Sequence, residues 1–174
     1  TYGVGELIRD AVLRGCRHFI VGIGGSATND GGIGMLQALG FGMLAADGKQ
    51  VPFGAIGLES LAAITTAHVL PELSECTFRI ACDVTNPLCG PNGATDVFGP
   101  QKGATPDMQL QLEEALRHYA DVIQSDMGIN VADMRGAGAA GGMGAAMQTF
   151  LKVKFCRLCL NLRIFMRIIS MRIK

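Results

Sequence analysis

The stretch His18-Phe19-Ile20-Val21-Gly22-Ile23-Gly24-Gly25-Ser26-Ala27-Thr28-Asn29-Asp30-Gly31-Gly32 decides the fold class. Its first six residues form a short apolar run rich in branched side chains, which predicts a buried strand. A glycine-rich turn follows. Residues 33–39 then predict a short helix closed by Gly40. Upstream, residues 1–15 predict a helix with Leu7, Ile8, Ala11, Val12 and Leu13 near one face and Gly15 as its stop. Helix, strand, loop, helix is the order of an α/β fold. A helix that opens on the first residue suggests a chain cut from something longer.

Further along, residues 41–53 predict a small hairpin turning at Asp47-Gly48, and residues 57–63 a short helix or turn. Residues 77–84 predict a second strand. Residues 85–104 read as a long loop punctuated by Asn-Pro, Gly-Pro and Asn-Gly. The longest helix starts after Thr105, a good N-cap, with Pro106 at the first helical position and Asp107 complementing the dipole. Met108, Leu112, Ala115, Leu116, Tyr119 and Val122 or Ile123 make its apolar face, and Gly128 ends it. A second glycine-rich loop at residues 135–144 enters another helix at Ala145.

The 174 residues are 49% hydrophobic and 17% charged, a globular composition. The formal net charge of zero hides an asymmetry. Residues 1–150 hold 8 basic and 15 acidic residues, a net of −7; residues 151–174 hold 7 basic residues and no acid, a net of +7. The acidic body argues against nucleic acid as a partner. No signal peptide or apolar run of spanning length is visible, so no membrane partner is expected. Cys16, Cys76, Cys82, Cys89, Cys156 and Cys159 show no framework, which predicts free thiols in a reducing cytoplasm. Cys156-x-x-Cys159 has redox spacing without the βαβ context that would give it meaning. His18, His68 and His118 form no nucleophilic triad by spacing.

Three loops could carry chemistry. In the first, five glycines flank Ser26, Thr28, Asn29 and Asp30. Backbone N–H groups of Gly24 and Gly25 can converge on a phosphate, Ser26, Thr28 and Asn29 offer neutral hydrogen bonds, and Asp30 offers a carboxylate for a metal ion or an alcohol proton. The same residues can serve as turn caps. A P-loop is excluded because the stretch has no lysine. Gly22-x-Gly24-x-x-Ala27 matches a dinucleotide loop formally, but the helix opens too late, which ranks an oxidoreductase below a kinase. The second loop, residues 82–103, places Asp83 at the C-terminal end of a strand, where open α/β sheets hold ligands, and Lys102 just before a helix. Phosphoryl transfer needs positioning, a metal-bound phosphate and often a carboxylate near the acceptor hydroxyl. Asp30 and Asp83 both suit these roles, and Lys102 suits a counter-charge. The third loop, Arg135 to Ala146, is compatible with nucleotide binding or with close packing of small residues.

Residues 22–40 (GIGGSATNDGGIGMLQALG), 81–106 (ACDVTNPLCGPNGATDVFGPQKGATP) and 136–147 (GAGAAGGMGAAM) resemble three blocks of the bacterial type I glycerate kinase family, in the family's order. The resemblance covers residues 1–150. It implies a two-domain α/β enzyme, mainly a parallel sheet with flanking helices, with its active site in the cleft between domains. This chain would be incomplete at both ends of that fold. The resemblance also implies MgATP as donor and D-glycerate as acceptor, with 2-phosphoglycerate the favoured product. The matching positions are Gly24, Gly25, Ser26, Asn29, Asp30, Asp83, Asn86 and Lys102. Asp30, Asp83 and Lys102 are the expected catalytic residues, Gly24, Gly25, Ser26, Asn29 and Asn86 the expected nucleotide contacts, and Asp30 and Asp83 the expected Mg²⁺ ligands. Residues 151–174 depart from the family pattern, and a frameshift or a basic amphipathic tail accounts for them. The competing functional class is an inactive remnant of such a kinase.

Overall fold

A computed structural model describes residues 1–151 and 153–156, the last three as backbone. The chain forms a mixed α/β fold. A parallel sheet of β1 (His18–Gly22), β4 (Thr77–Ala81) and β5 (Lys154–Cys156) runs in the order β1-β4-β5, so β4 is central. The register pairs His18 with Thr77 and Gly22 with Ala81, and on the other side Arg79 with Lys154. β5 lies beyond residue 150, inside the stretch expected to be a divergent tail.

Alternation along β4 decides which face is covered. Phe78 and Ile80 are buried, while Thr77 and Arg79 point to solvent. Phe19 of β1 stacks on Phe78 with ring centroids 4.9 Å apart. The expectation of a buried first strand needs correction. Among the described residues β1 is an edge strand, and its Ile20 is 58% exposed. An apolar run cannot by itself distinguish a central strand from an edge.

The first helix, α1 (Tyr2–Leu13), also turns differently from its expected face. Gly5, Ile8 and Val12 are buried, and Leu7 and Leu13 are exposed. The reason is close packing on α2 (Ile33–Ala38): a Cβ at Gly5 would stand 2.5 Å from the Met35 carbonyl oxygen. A bare glycine therefore sets which side of α1 faces inward.

A second, two-stranded antiparallel sheet pairs β2 (Gly42–Leu44) with β3 (Ala63–Thr65). The expected hairpin at Asp47-Gly48 is present as a tight turn with one bridge, Leu44 to Gln50, but the strand partner of β2 is β3. The short α3 (Ile56–Glu59) packs against α5 (Pro106–Met127). The long loop is less irregular than expected, because it contains α4 (Ala94–Phe98) and a 3-10 turn, Pro100–Lys102. α5 matches its expected ends. Thr105 Oγ1 accepts the Met108 N–H at 3.3 Å, and Gly128 takes the left-handed conformation that closes the helix. Its buried face runs from Ala115 through Leu116, Tyr119 and Ile123, whereas Met108 near its start is 46% exposed. α6 (Met143–Phe150) begins two residues before the expected Ala145.

Candidate active site

Three chain segments build the site, and the third glycine-rich loop holds the other two together. Residues 136–147 are buried throughout. Gly31 N–H donates to the Gly141 carbonyl at 2.9 Å, and Thr28 Oγ1 donates to the Ala140 carbonyl at 3.3 Å. Gly136 N–H donates to the Thr85 carbonyl at 3.2 Å and Gly138 N–H to the Asn86 carbonyl at 3.1 Å. Of the two roles left open for this loop, the structure supports packing. Its small residues let the loops after β1 and β4 approach each other.

The meeting of these loops leaves a cavity of about 320 Å³, lined among others by Thr28, Asn29, Asp30 and Lys102, with Met108 and Leu112 of α5 as an apolar wall. This brings together three of the expected site residues, Asn29, Asp30 and Lys102, with Thr28 beside them. The Lys102 Nζ donates to the Thr28 carbonyl at 2.6 Å. Burial pulls the Lys102 ammonium below its usual pKa, and the nearby Asp30 charge works against that shift.

Asp30 is buried, with its carboxylate engaged. Its Oδ2 accepts from the Thr1 nitrogen at 3.1 Å and Thr1 Oγ1 at 2.7 Å, and its Oδ1 accepts from the Gly32 N–H at 3.0 Å. The Thr1 hydroxyl oxygen in turn accepts from the Met35 N–H at 3.1 Å. The expected phosphate cradle at the entry to α2 is thus altered. The amides of Gly31, Gly32 and Met35 already have partners within the chain, and α2 is only six residues long.

Asn29 Nδ2 donates to Thr95 Oγ1 at 3.0 Å, and Thr95 is fully buried at the start of α4. Asn29 Oδ1 is buried and lacks a partner among the described residues. Whichever way the amide is turned, one of its polar atoms has no partner among the described residues.

The other singled-out residues lie elsewhere. Gly24 and Gly25 are exposed and Ser26 is half-buried, all just past the end of β1. Asp83 is exposed, two residues past the end of β4. Because Gly22 pairs with Ala81, these two groups leave the same end of the parallel sheet. Asn86 is half-buried and donates to the Asn92 carbonyl at 2.9 Å. The helix after the first glycine loop starts at Ile33, six residues past Ala27, so the formal dinucleotide match does not open a helix.

Sequence reasoning missed Thr1, Thr95 and Tyr119. Tyr119 is fully buried under the Gly31 corner, and its hydroxyl has no partner among the described residues. Burial first, and then the Asp30 charge, raise its pKa. Thr95 is 66 positions from the residue it holds, which no local pattern reveals. Cys89 is also shielded, its thiol pushed up to about 12 by burial above all.

Among the described residues, no helix is long and apolar enough to cross a membrane, and no cluster of three or more His, Cys, Asp or Glu could hold a metal ion. The family model described as the glycerate kinase family matches residues 1–168. The chain is 52% identical over 149 residues to glycerate 2-kinase of Escherichia coli (strain K12), covering 86% of this chain and 39% of that protein. It is 51% identical over 147 residues to a glycerate kinase of Haemophilus influenzae, with 84% and 39% covered. A crystal structure from Salmonella typhimurium LT2, described as glycerate kinase 2, superposes with a TM-score of 0.86 at 53% identity, covering 90% of this chain and 42% of the other. The chain therefore spans about two-fifths of the length of the curated relatives it matches. By sequence along most of its length and by fold, the chain belongs to the glycerate kinase family.

Proposed function

We propose that this chain carries the acceptor site and part of the donor site of a kinase that transfers a phosphoryl group from MgATP to D-glycerate. The observation that carries this reading is the cavity lined by Lys102, Asp30 and Asn29, whose amide has one atom without a partner among the described residues. Glycerate is a small anion with two hydroxyls. The Lys102 ammonium suits its carboxylate or an incoming phosphate, and Asn29 suits a hydroxyl. Asp30 is the carboxylate among the residues that line this cavity, and the lone pair of Oδ1 left beside its bond from Gly32 would suit the acceptor hydroxyl and its proton. The name of the Escherichia coli relative, glycerate 2-kinase, favours 2-phosphoglycerate as product.

Mg²⁺ takes oxygen ligands and is commonly held by one or two carboxylates together with substrate phosphates. Asp83, exposed at the C-terminal end of the parallel sheet, fits that chemistry. Asp30 fits it less well, since hydrogen bonds from Thr1 and Gly32 already take most of its acceptor sites. When bound, the ion would neutralise charge on the donor phosphates. Gly24, Gly25 and Ser26 leave the sheet beside Asp83 and offer backbone and hydroxyl groups to the same phosphates, with Asn86 further along the second loop.

The test is D-glycerate-dependent ADP release by the purified chain with MgATP. Lys102→Ala is expected to lower it at least about tenfold, the scale of a lost charge-assisted hydrogen bond. Release that does not depend on glycerate would refute the reading. Glycerate binding without release would support the second reading, a remnant that binds without turnover.

A further inference from the structure

Among the described residues two polar side chains are buried, Asp30 and Thr95, and the proposed chemistry uses the first alone. Thr95 has no exposed surface. Burying a hydroxyl costs free energy unless a partner replaces the water it loses. The partner here is Asn29, whose Nδ2 donates to Thr95 Oγ1 at 3.0 Å. A valine would fill nearly the same volume without that cost, so what the hydroxyl adds at this position is its bond to Asn29.

This bond is one of two between the same chain segments. Thr95 and Lys102 both come from residues 94–102, and they engage adjacent residues of the first loop: Thr95 the Asn29 amide, and Lys102 the Thr28 carbonyl at 2.6 Å. Gly99 lies between them, its N–H donating to the Thr95 carbonyl at 2.7 Å. The two contacts fix different things. Lys102 grips backbone. Thr95 holds a side chain that lines the cavity and whose other amide atom has no partner among the described residues. An amide free at both ends can rotate, whereas one held at a single end has its plane and its remaining polar atom set in direction. A side chain held before its ligand arrives also loses less freedom on binding. We propose that Thr95 is a positioning residue for acceptor binding: its hydroxyl holds Asn29 so that the remaining polar atom of the amide meets a hydroxyl of D-glycerate. This rests on the kinase reading and adds to it a residue that itself touches no substrate.

The experiment is calorimetric titration of the chain with D-glycerate and, separately, with inorganic tripolyphosphate. The chains compared are the parent, Thr95→Val, Thr95→Ser, Asn29→Ala and the double variant Asn29→Ala/Thr95→Val, each verified as folded by circular dichroism. Thr95→Val is expected to weaken D-glycerate by about threefold to tenfold, the scale of one net hydrogen bond, and Thr95→Ser, which keeps the hydroxyl, to restore it. Tripolyphosphate affinity should stay at the parental value in both. In the Asn29→Ala background, Thr95→Val should weaken D-glycerate no further, because the residue it acts through is gone. Equal weakening of both ligands, or losses that add in the double variant, would mean that Thr95 only ties the two loops together, and overturns the assignment. A folded Thr95→Val chain that binds D-glycerate as the parent does overturns it as well. The parent supplies a check that needs no Thr95 variant. The Asn29 side-chain N–H₂ resonance, identified by its loss in Asn29→Ala, should shift as D-glycerate is added. A resonance that stays fixed while D-glycerate binds overturns the proposal and leaves the kinase reading standing. A folded parent that does not bind D-glycerate overturns both.

Discussion

Lys102 shows at the scale of one residue how position changes chemistry. Its type and its place before α5 were readable, but its partner, the Thr28 carbonyl 74 positions away, was not. Burial lowers its pKa, so the folded chain gives up the proton at a lower pH than the unfolded chain does. Stability contributed by this residue therefore rises as pH climbs through the folded pKa towards the ordinary value of 10.5. Anion binding should follow the opposite course, because it needs the charged form. Titrating tripolyphosphate between neutral and alkaline pH should show affinity falling before an ordinary lysine would lose its proton. Lys102→Arg, which stays charged, should hold affinity to higher pH. A parental profile flat up to the ordinary lysine range would remove Lys102 from the anion site. Asp30 is the complementary case. Its carboxylate was legible as a candidate, but its bonds to Thr1 were not, because they join the start of the chain to the end of a loop.

Elements with their own start and stop signals were the most legible. α5 carries Thr105, Pro106 and Asp107 at one end and Gly128 at the other, and it runs Pro106–Met127. Thr105→Ala removes the acceptor for the Met108 N–H and should cost about 1 kcal/mol in urea denaturation. A loss below a few tenths would show that water or Pro106 already satisfies the helix start. Where packing decides, the pattern is silent. The face of α1 is chosen by Gly5 against Met35, so Leu7 and Leu13 point outward despite their apolarity. For β1, apolarity did not reveal place in the sheet: among the described residues it is an edge strand, with Ile20 exposed. In the loop 85–104, α4 was hidden because five residues are too few to show a helical period.

At the scale of the whole molecule, β4 needs neighbours on both sides, and β5 supplies one of them from residues 154–156. The family match runs to residue 168, across the charge break at residue 151. Truncation after Leu151 should lower the urea midpoint, because it removes the β4–β5 ladder and leaves Ile80 and Phe78 beneath an open edge. An unchanged midpoint would mean that the last strand adds nothing to the fold. The sequence by itself determined the α/β class, the positions of both site loops and the family. These follow from local propensities, glycine spacing and long matching blocks, all of them properties of neighbouring residues. Only the tertiary structure decided that the third glycine-rich loop packs instead of facing the cavity, that Lys102 reaches Thr28, and that Thr95 holds Asn29. Those contacts span tens to more than a hundred positions. They are set by which backbones can approach once the core has closed, and no local pattern encodes that distance.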